Sequence, residues 1–255
     1  GKLDGATNSY RRALTIKPDF AKGHNNLGVT LWDLGKLEEA VASYRQALAI
    51  KPDFAGAHSN LGLALEELGK QEEALASHRR AIFLDPQNEV SWANFAASIE
   101  TASFASVDDS LYQELLHLLE GPTVSPSYII RPIISALRHH PTFSSMVEAT
   151  SSNQQDSEIP YGDIAEQLST IPLFLRIMEL SPFYDLEIEQ MLIVLRRAML
   201  AETIEGKTKE KVFPFSAALT LHCFTNEYVF PETEEEKEAV EKLEQQIATL
   251  MEKGC

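Results

Sequence analysis

The stretch that decides the fold runs from Leu27 to Phe54, LGVTLWDLGKLEEAVASYRQALAIKPDF, and returns from Leu61 to Pro86 as LGLALEELGKQEEALASHRRAIFLDP. Gly1, Gly35 and Gly69 are 34 residues apart, and so are Pro18, Pro52 and Pro86. Residues 1–34 and 35–68 share 21 identities, whereas 35–68 and 69–102 share 12. A fixed period with this decay is the signature of a stacked array whose last unit degenerates.

Each unit reads as two helices. Leu27, Gly28, Leu31 and Leu34 recur at helical spacing up to Gly35, and Ala40, Val41, Tyr44, Ala47 and Leu48 do so again until Pro52 stops the second helix. Gly28, Gly62, Ala40 and Ala74 are small residues where the two helices of a hairpin must approach closely. Tyr10 and Tyr44 are expected to fill the gap to the next unit. Gly35 and Gly69 supply the positive φ that ends a helix abruptly.

This small–large–small pattern over two antiparallel helices resembles the tetratricopeptide repeat. His24 and His58 stand where that repeat has an early Trp, which Trp92 restores. The resemblance implies a helix-turn-helix solenoid: a half unit over 1–20, units 21–54 and 55–88, and a degenerate unit from 89. Because Gly1 aligns with the inter-helix turn and no initiating Met is present, the chain is expected to be a piece of a longer protein. The repeat region is expected to span 1–101.

Residues 102–255 are expected to form a second, capping or linking helical domain, which makes the fold class all-α. Helices are expected over Asp108–Leu119, Ser127–Arg138, Phe143–Glu148, Tyr161–Leu180, Asp185–Ala201 and Phe213–Phe230. The polar stretch Ser151–Glu158 lacks apolar residues and places a candidate internal boundary within 150–159. Glu232, Glu234, Glu235, Glu236 and Glu238 precede a final apolar stripe of Val240, Leu243, Ile247 and Leu250. They read as the first turn of a surface helix with Thr233 as N-cap. The segments IPLFLRIMEL, DLEIEQMLIVLRRAML and FSAALTLHCFTNEYVF are similar to a helical segment of some bacterial proteins. In those proteins it lies between a tetratricopeptide array and an S-adenosylmethionine-dependent methyltransferase domain. The resemblance covers about residues 160–240 and is most specific over Cys223–Phe230. It implies that the chain stops before such a catalytic domain.

The chain has 255 residues with 38 acidic and 22 basic side chains, a formal net charge of -16. Residues 1–100 carry 11 basic and 13 acidic groups, net -2, and residues 101–255 carry 11 and 25, net -14. This balance disfavours nucleic acid. No apolar run reaches the ~18–20 residues of a membrane span. Two cysteines, Cys223 and Cys255, fit a reducing compartment, so a cytoplasmic location is expected.

Chemistry-bearing motifs are sparse. The seven His residues lack metal-ligand spacing, no G-x-G occurs, and neighbours His222 and Cys223 point about 100° apart on a helix. No cofactor, no metal and no enzymatic activity of this chain are expected. One constellation remains: Asn26, Asn60 and Asn94, spaced by 34 residues on the first helices. By resemblance to tetratricopeptide arrays, first helices line a concave groove. There the carboxamides can bond an extended peptide backbone, as the asparagine ladder of protein O-glycosyltransferases does, or else bond neighbouring helices. Lys22 and Asn25 flank the row, but Gly56 and Ser59, then Val90 and Ala93, replace them in later units, so a carboxylate clamp is not expected. Asp33, Glu66, Glu67 and Glu100 lie late on the first helices and predict a mild preference for basic or neutral peptides. The expected function is a module that binds a protein or peptide. The alternative is the substrate-recognition and linker part of a multidomain methyltransferase, or less favourably of a glycosyltransferase.

Overall fold

The computed structural model of the protein describes residues 1–100, 104, 106–121, 125–152, 161–183, 185–206, 210–225, 237, 238, 240–242 and 245. The described residues are helical with connecting turns and contain no strand. They divide into two compact units, one over residues 1–100 and the other over residues 104–121 and the described residues from 125 onward.

The first unit contains α1 (Lys2–Ile16), α2 (Ala21–Asp33), α3 (Leu37–Ile50), α4 (Ala55–Glu67), α5 (Gln71–Leu84) and α6 (Glu89–Ile99). Helix α2 ends where Gly35 adopts φ 71°. Gly35 N–H then donates to Trp32 C=O at 2.8 Å and Lys36 N–H to Leu31 C=O at 2.9 Å. Gly69 and Lys70 repeat both bonds to Glu66 and Leu65. This paired closure satisfies orphan carbonyls at the helix end and requires a left-handed residue. Leu27, Leu31, Val41, Tyr44, Leu61 and Leu65 form the buried centre of the array.

The glycines on α2 and α4 permit close packing within each hairpin. A Cβ on Gly28 would lie 2.5 Å from the Tyr44 ring, and one on Gly62 would overlap the His78 ring. Tyr44 therefore seats against Gly28 of its own hairpin and belongs to the same buried cluster as Leu61 and Leu65 of the next unit. Tyr10 does reach the next unit, its hydroxyl accepting from Asn26 Nδ2 at 3.4 Å.

The second unit begins with α7 (Asp109–Glu120), α8 (Pro126–Leu137) and α9 (Pro141–Ser152). It continues with α10 (Tyr161–Leu168), α11 (Pro172–Leu180), α12 (Leu186–Ile204), a 3-10 turn at Glu210–Val212, and α13 (Phe213–Thr225). The sequence reading gave Tyr161–Leu180 as one helical segment with Pro172 near a start or bend, and the chain does break before Pro172. Proline fits the first turn of a new helix because it has no N–H to give there. Conversely, α9 is longer than the expected Phe143–Glu148, and Ser151 and Ser152 of the expected linker belong to it. Phe174 anchors the core, 4.8 Å from Phe143, 5.8 Å from Phe183 and 6.3 Å from Phe215 between ring centroids. Residues 153–158 of the linker, 226–230 of the Cys223–Phe230 stretch, Thr233 with its acidic neighbours 232–236, Leu243, Ile247, Leu250 and Cys255 lie outside the described residues.

Candidate peptide-binding groove

The first helices of successive units, α2, α4 and α6, touch one another. Their inward-facing small and apolar residues are fixed by the hairpin packing, which leaves the asparagine positions half-buried at the surface. The carboxamides bridge units. Asn60 Nδ2 donates to Asn25 Oδ1 at 3.0 Å, and Asn94 Nδ2 donates to Ser59 Oγ at 3.0 Å. Both bonds span 35 residues. Each asparagine thus reaches the residue just before its counterpart in the preceding unit. Asn25 in turn donates to Asn26 Oδ1 at 3.4 Å. Asn25 and Ser59 are buried, so these bonds satisfy groups that water does not reach.

One N–H of each carboxamide in the row is therefore taken up by a neighbouring helix. The Oδ1 atoms of Asn60 and Asn94 receive no hydrogen bond among the described residues. An amide oxygen at a half-buried surface can accept from a peptide N–H, and a bonded Nδ2 fixes which way that oxygen points.

The charged positions separate into two groups. Lys22, Asp33, Glu67 and Glu100 are exposed, as are Gly56 and Val90 at the positions equivalent to Lys22. Glu66 differs: its Oε1 lies 3.4 Å from Nε2 of the fully buried His78. Burial pushes the Glu66 carboxyl up from its ordinary range, and Ser98 opposes this by hydrogen bonding. Glu66 therefore turns toward the α5 side of its hairpin and is not a simple member of an acidic wall. Burial alone holds His78 down to about 4, so the ring is neutral at pH 7.

The histidines at the repeat's early aromatic position have a local role. His24 Nε2 donates to Pro18 C=O and His58 Nε2 to Pro52 C=O, each at 2.9 Å. Trp92 Nε1 makes the same 2.9 Å bond to Pro86 C=O. A carbonyl only accepts, so Nε2 carries the proton in both histidines. Proline has no N–H to give to the preceding turn, which favours a helix ending there, and the ring N–H then fixes the carbonyl of the turn. The pairing of a ring N–H with the proline six residues earlier is visible in the sequence once all three copies are aligned.

Sequence reasoning missed several polar arrangements of the second unit. Buried His222 places Nδ1 3.1 Å from Met178 C=O and Nε2 3.4 Å from Glu189 Oε1. Cys223 is half-buried and not in a disulfide. Asp185 caps α12 by accepting from Glu187 and Ile188 N–H at 3.2 and 3.3 Å, and Arg138 Nη2 reaches its other oxygen at 2.6 Å. No cluster of three His, Cys, Asp or Glu side chains able to hold a metal occurs among the described residues. No helix among them is long and apolar enough to cross a membrane.

Comparison with solved structures gives three similar chains. An O-GlcNAc transferase variant from Thermobaculum terrenum is 22% identical, with a TM-score of 0.40 over 47% of this chain and 23% of that one. The present chain therefore spans less than a quarter of the transferase's length. MamA is 18% identical, with a TM-score of 0.39 over 89% and 93% of the two chains. PilF of Pseudomonas aeruginosa is 16% identical, with a TM-score of 0.31 over 93% and 98%. No curated protein sequence matches the chain. Models of the TPR repeat match residues 1–35 and 31–69, and a tetratricopeptide repeat model matches 55–88. Residues 1–88 thus consist of tetratricopeptide repeats.

Proposed function

We propose that the repeat array binds an extended peptide segment of a partner protein along the first-helix groove. Tetratricopeptide repeats support a role as a protein-interaction scaffold. The observation that carries the finer reading is the row formed by Asn26, Asn60 and Asn94. The Nδ2 bonds to the preceding unit hold Asn60 and Asn94 in place, and their Oδ1 atoms have no partner among the described residues. Carboxamide oxygens spaced by one repeat can accept from backbone N–H groups of an extended ligand without reading its sequence. Selectivity then comes from the flanks. Asn25 holds the row from behind, Lys22 supplies one cation at the first unit, and exposed Asp33 and Glu67 favour basic or neutral ligands. The chain acts here by binding and not by catalysis. The test is peptide binding by the double variant Asn60→Ala/Asn94→Ala. Affinity falls at least about tenfold on loss of two hydrogen bonds, and unchanged affinity would remove the groove from the account.

A second reading places this binding within a larger enzyme. The resemblance of residues 160–240 to a linker before a methyltransferase domain favours it. In that reading the array selects the substrate protein and the helical region joins it to the catalytic domain. The parent gene tests this: a strand, a glycine-rich loop and a helix following the chain support it, and their absence removes it.

A further inference from the structure

A cavity of about 270 Å³ opens in the second unit along the first two turns of α7. Asp109, Tyr112 and Gln113 fall at i, i+3 and i+4 and share one face of that helix. Leu116 of the same helix, His140 at the entry to α9, and Thr170–Leu173 at the entry to α11 complete the lining. The Tyr112 hydroxyl is engaged, donating to Ala136 C=O at 3.0 Å, and its ring meets His140 edge-on at 5.4 Å. His140 Nδ1 is buried and makes no hydrogen bond among the described residues. Asp109 acts electrostatically on both rings. Burial keeps the His140 imidazole below its usual range, so it adds no positive charge at pH 7.

The lining sets one carboxylate, one carboxamide, a hydroxyl, a neutral imidazole and an aromatic ring beside four apolar side chains, and it contains no Lys or Arg. An anion would meet Asp109 uncompensated, and a purely apolar ligand would leave buried polar atoms unpaired. A cation meets an opposite charge, acceptors and a ring able to attract it. The excess of acidic residues over 101–255, net -14 by sequence, raises the local concentration of cations further. The volume lies just under the ~300–1,000 Å³ of sites that hold drug-sized molecules, which suits a single side-chain-sized group.

We propose that this cavity binds a guanidinium or primary ammonium group on a short aliphatic stem, held by Asp109 and Gln113 against Tyr112 and His140. Such a group is carried by a free small amine or by an Arg or Lys side chain of a peptide. The site lies in the second unit and stands independently of the groove.

The test is an amide-resonance titration of the full chain with ethylguanidinium and butylammonium, with butyramide as the uncharged control and Gly-Arg-Gly as the peptide-borne arm. Either cation is expected to shift Tyr112, Gln113 and Leu173 saturably, and butyramide to leave them in place. Asp109→Asn, at an exposed position, is expected to keep the parent's melting temperature and to weaken cation binding at least about tenfold. Gln113→Ala weakens it less. A tighter Gly-Arg-Gly than ethylguanidinium assigns the site to peptide side chains, and a weaker one assigns it to free amines. Equal shifts with butyramide, equal affinity in Asp109→Asn, or unsaturable shifts spread over the acidic surface would each overturn the proposal.

Discussion

Asn60 donates to Asn25 Oδ1 at 3.0 Å across 35 residues of sequence, so this half-buried side chain joins α4 to α2. In the proposed binding row, such bonds orient each carboxamide before any ligand arrives. Removing Asn25 should therefore disturb the row from behind. Asn25→Ala is expected to cost about 1 kcal/mol of array stability and to weaken peptide binding through Asn60. In a double-mutant cycle, Asn25 and Asn60 should couple by at least about 0.5 kcal/mol. Additive effects would mean that the bond does not hold the row.

Two glycines at helical positions should respond oppositely to alanine. Gly28→Ala drives a methyl group into the Tyr44 ring and is expected to cost about 1–3 kcal/mol by overpacking. At Gly56 a Cβ would meet only Phe54, at 3.5 Å. Gly56→Ala is therefore expected to stabilise by up to about 1 kcal/mol, the ordinary gain in helix propensity. Urea unfolding of both variants checks the pair.

Acid should loosen the array at His78. Its folded value of about 4 lies below the ordinary 6.5. Between those limits the unfolded chain binds a proton that the folded chain refuses, so stability falls as pH is lowered from 6.5 toward 4. Glu66, raised by burial, pulls the other way by keeping its proton longer when folded. His78→Phe removes the first effect and is expected to flatten or reverse the acid slope. If melting temperatures of parent and variant keep the same slope over this range, His78 does not carry it.

The three copies of the ring-to-proline bond predict an exchange. His58→Trp should keep the N–H to Pro52 C=O, as Trp92 does to Pro86, and retain stability. His58→Ala should cost about 1 kcal/mol or more, since it loses both the bond and the packing. Thermal melts that rank Trp and Ala together would show that the bond contributes nothing.

The helices of the array were readable from the sequence because their signals are local. Gly35 and Gly69 end helices by backbone conformation, Pro52 and Pro86 disfavour continuation, and Gly28 marks a close approach. That the Tyr44 ring packs on Gly28 as well as joining the cluster of the next unit was not legible, because size shows that a side chain fills space but not every surface it meets. The direction of the asparagine donors was also illegible. It depends on the one-residue offset by which Asn60 meets Asn25 and Asn94 meets Ser59, a property of how units stack and not of either unit alone. In the second unit no repeat guides the eye. The Arg138–Asp185 contact and the setting of His222 against Glu189 join positions 47 and 33 residues apart without a motif.

The most direct test of the account is affinity for peptides selected on the purified chain from a random dodecamer library. The account predicts peptides neutral or basic on average, competing for one site on residues 1–100, with binding at least about tenfold weaker in folded Asn60→Ala/Asn94→Ala. Selected peptides that bind the double variant as tightly as the parent would contradict it.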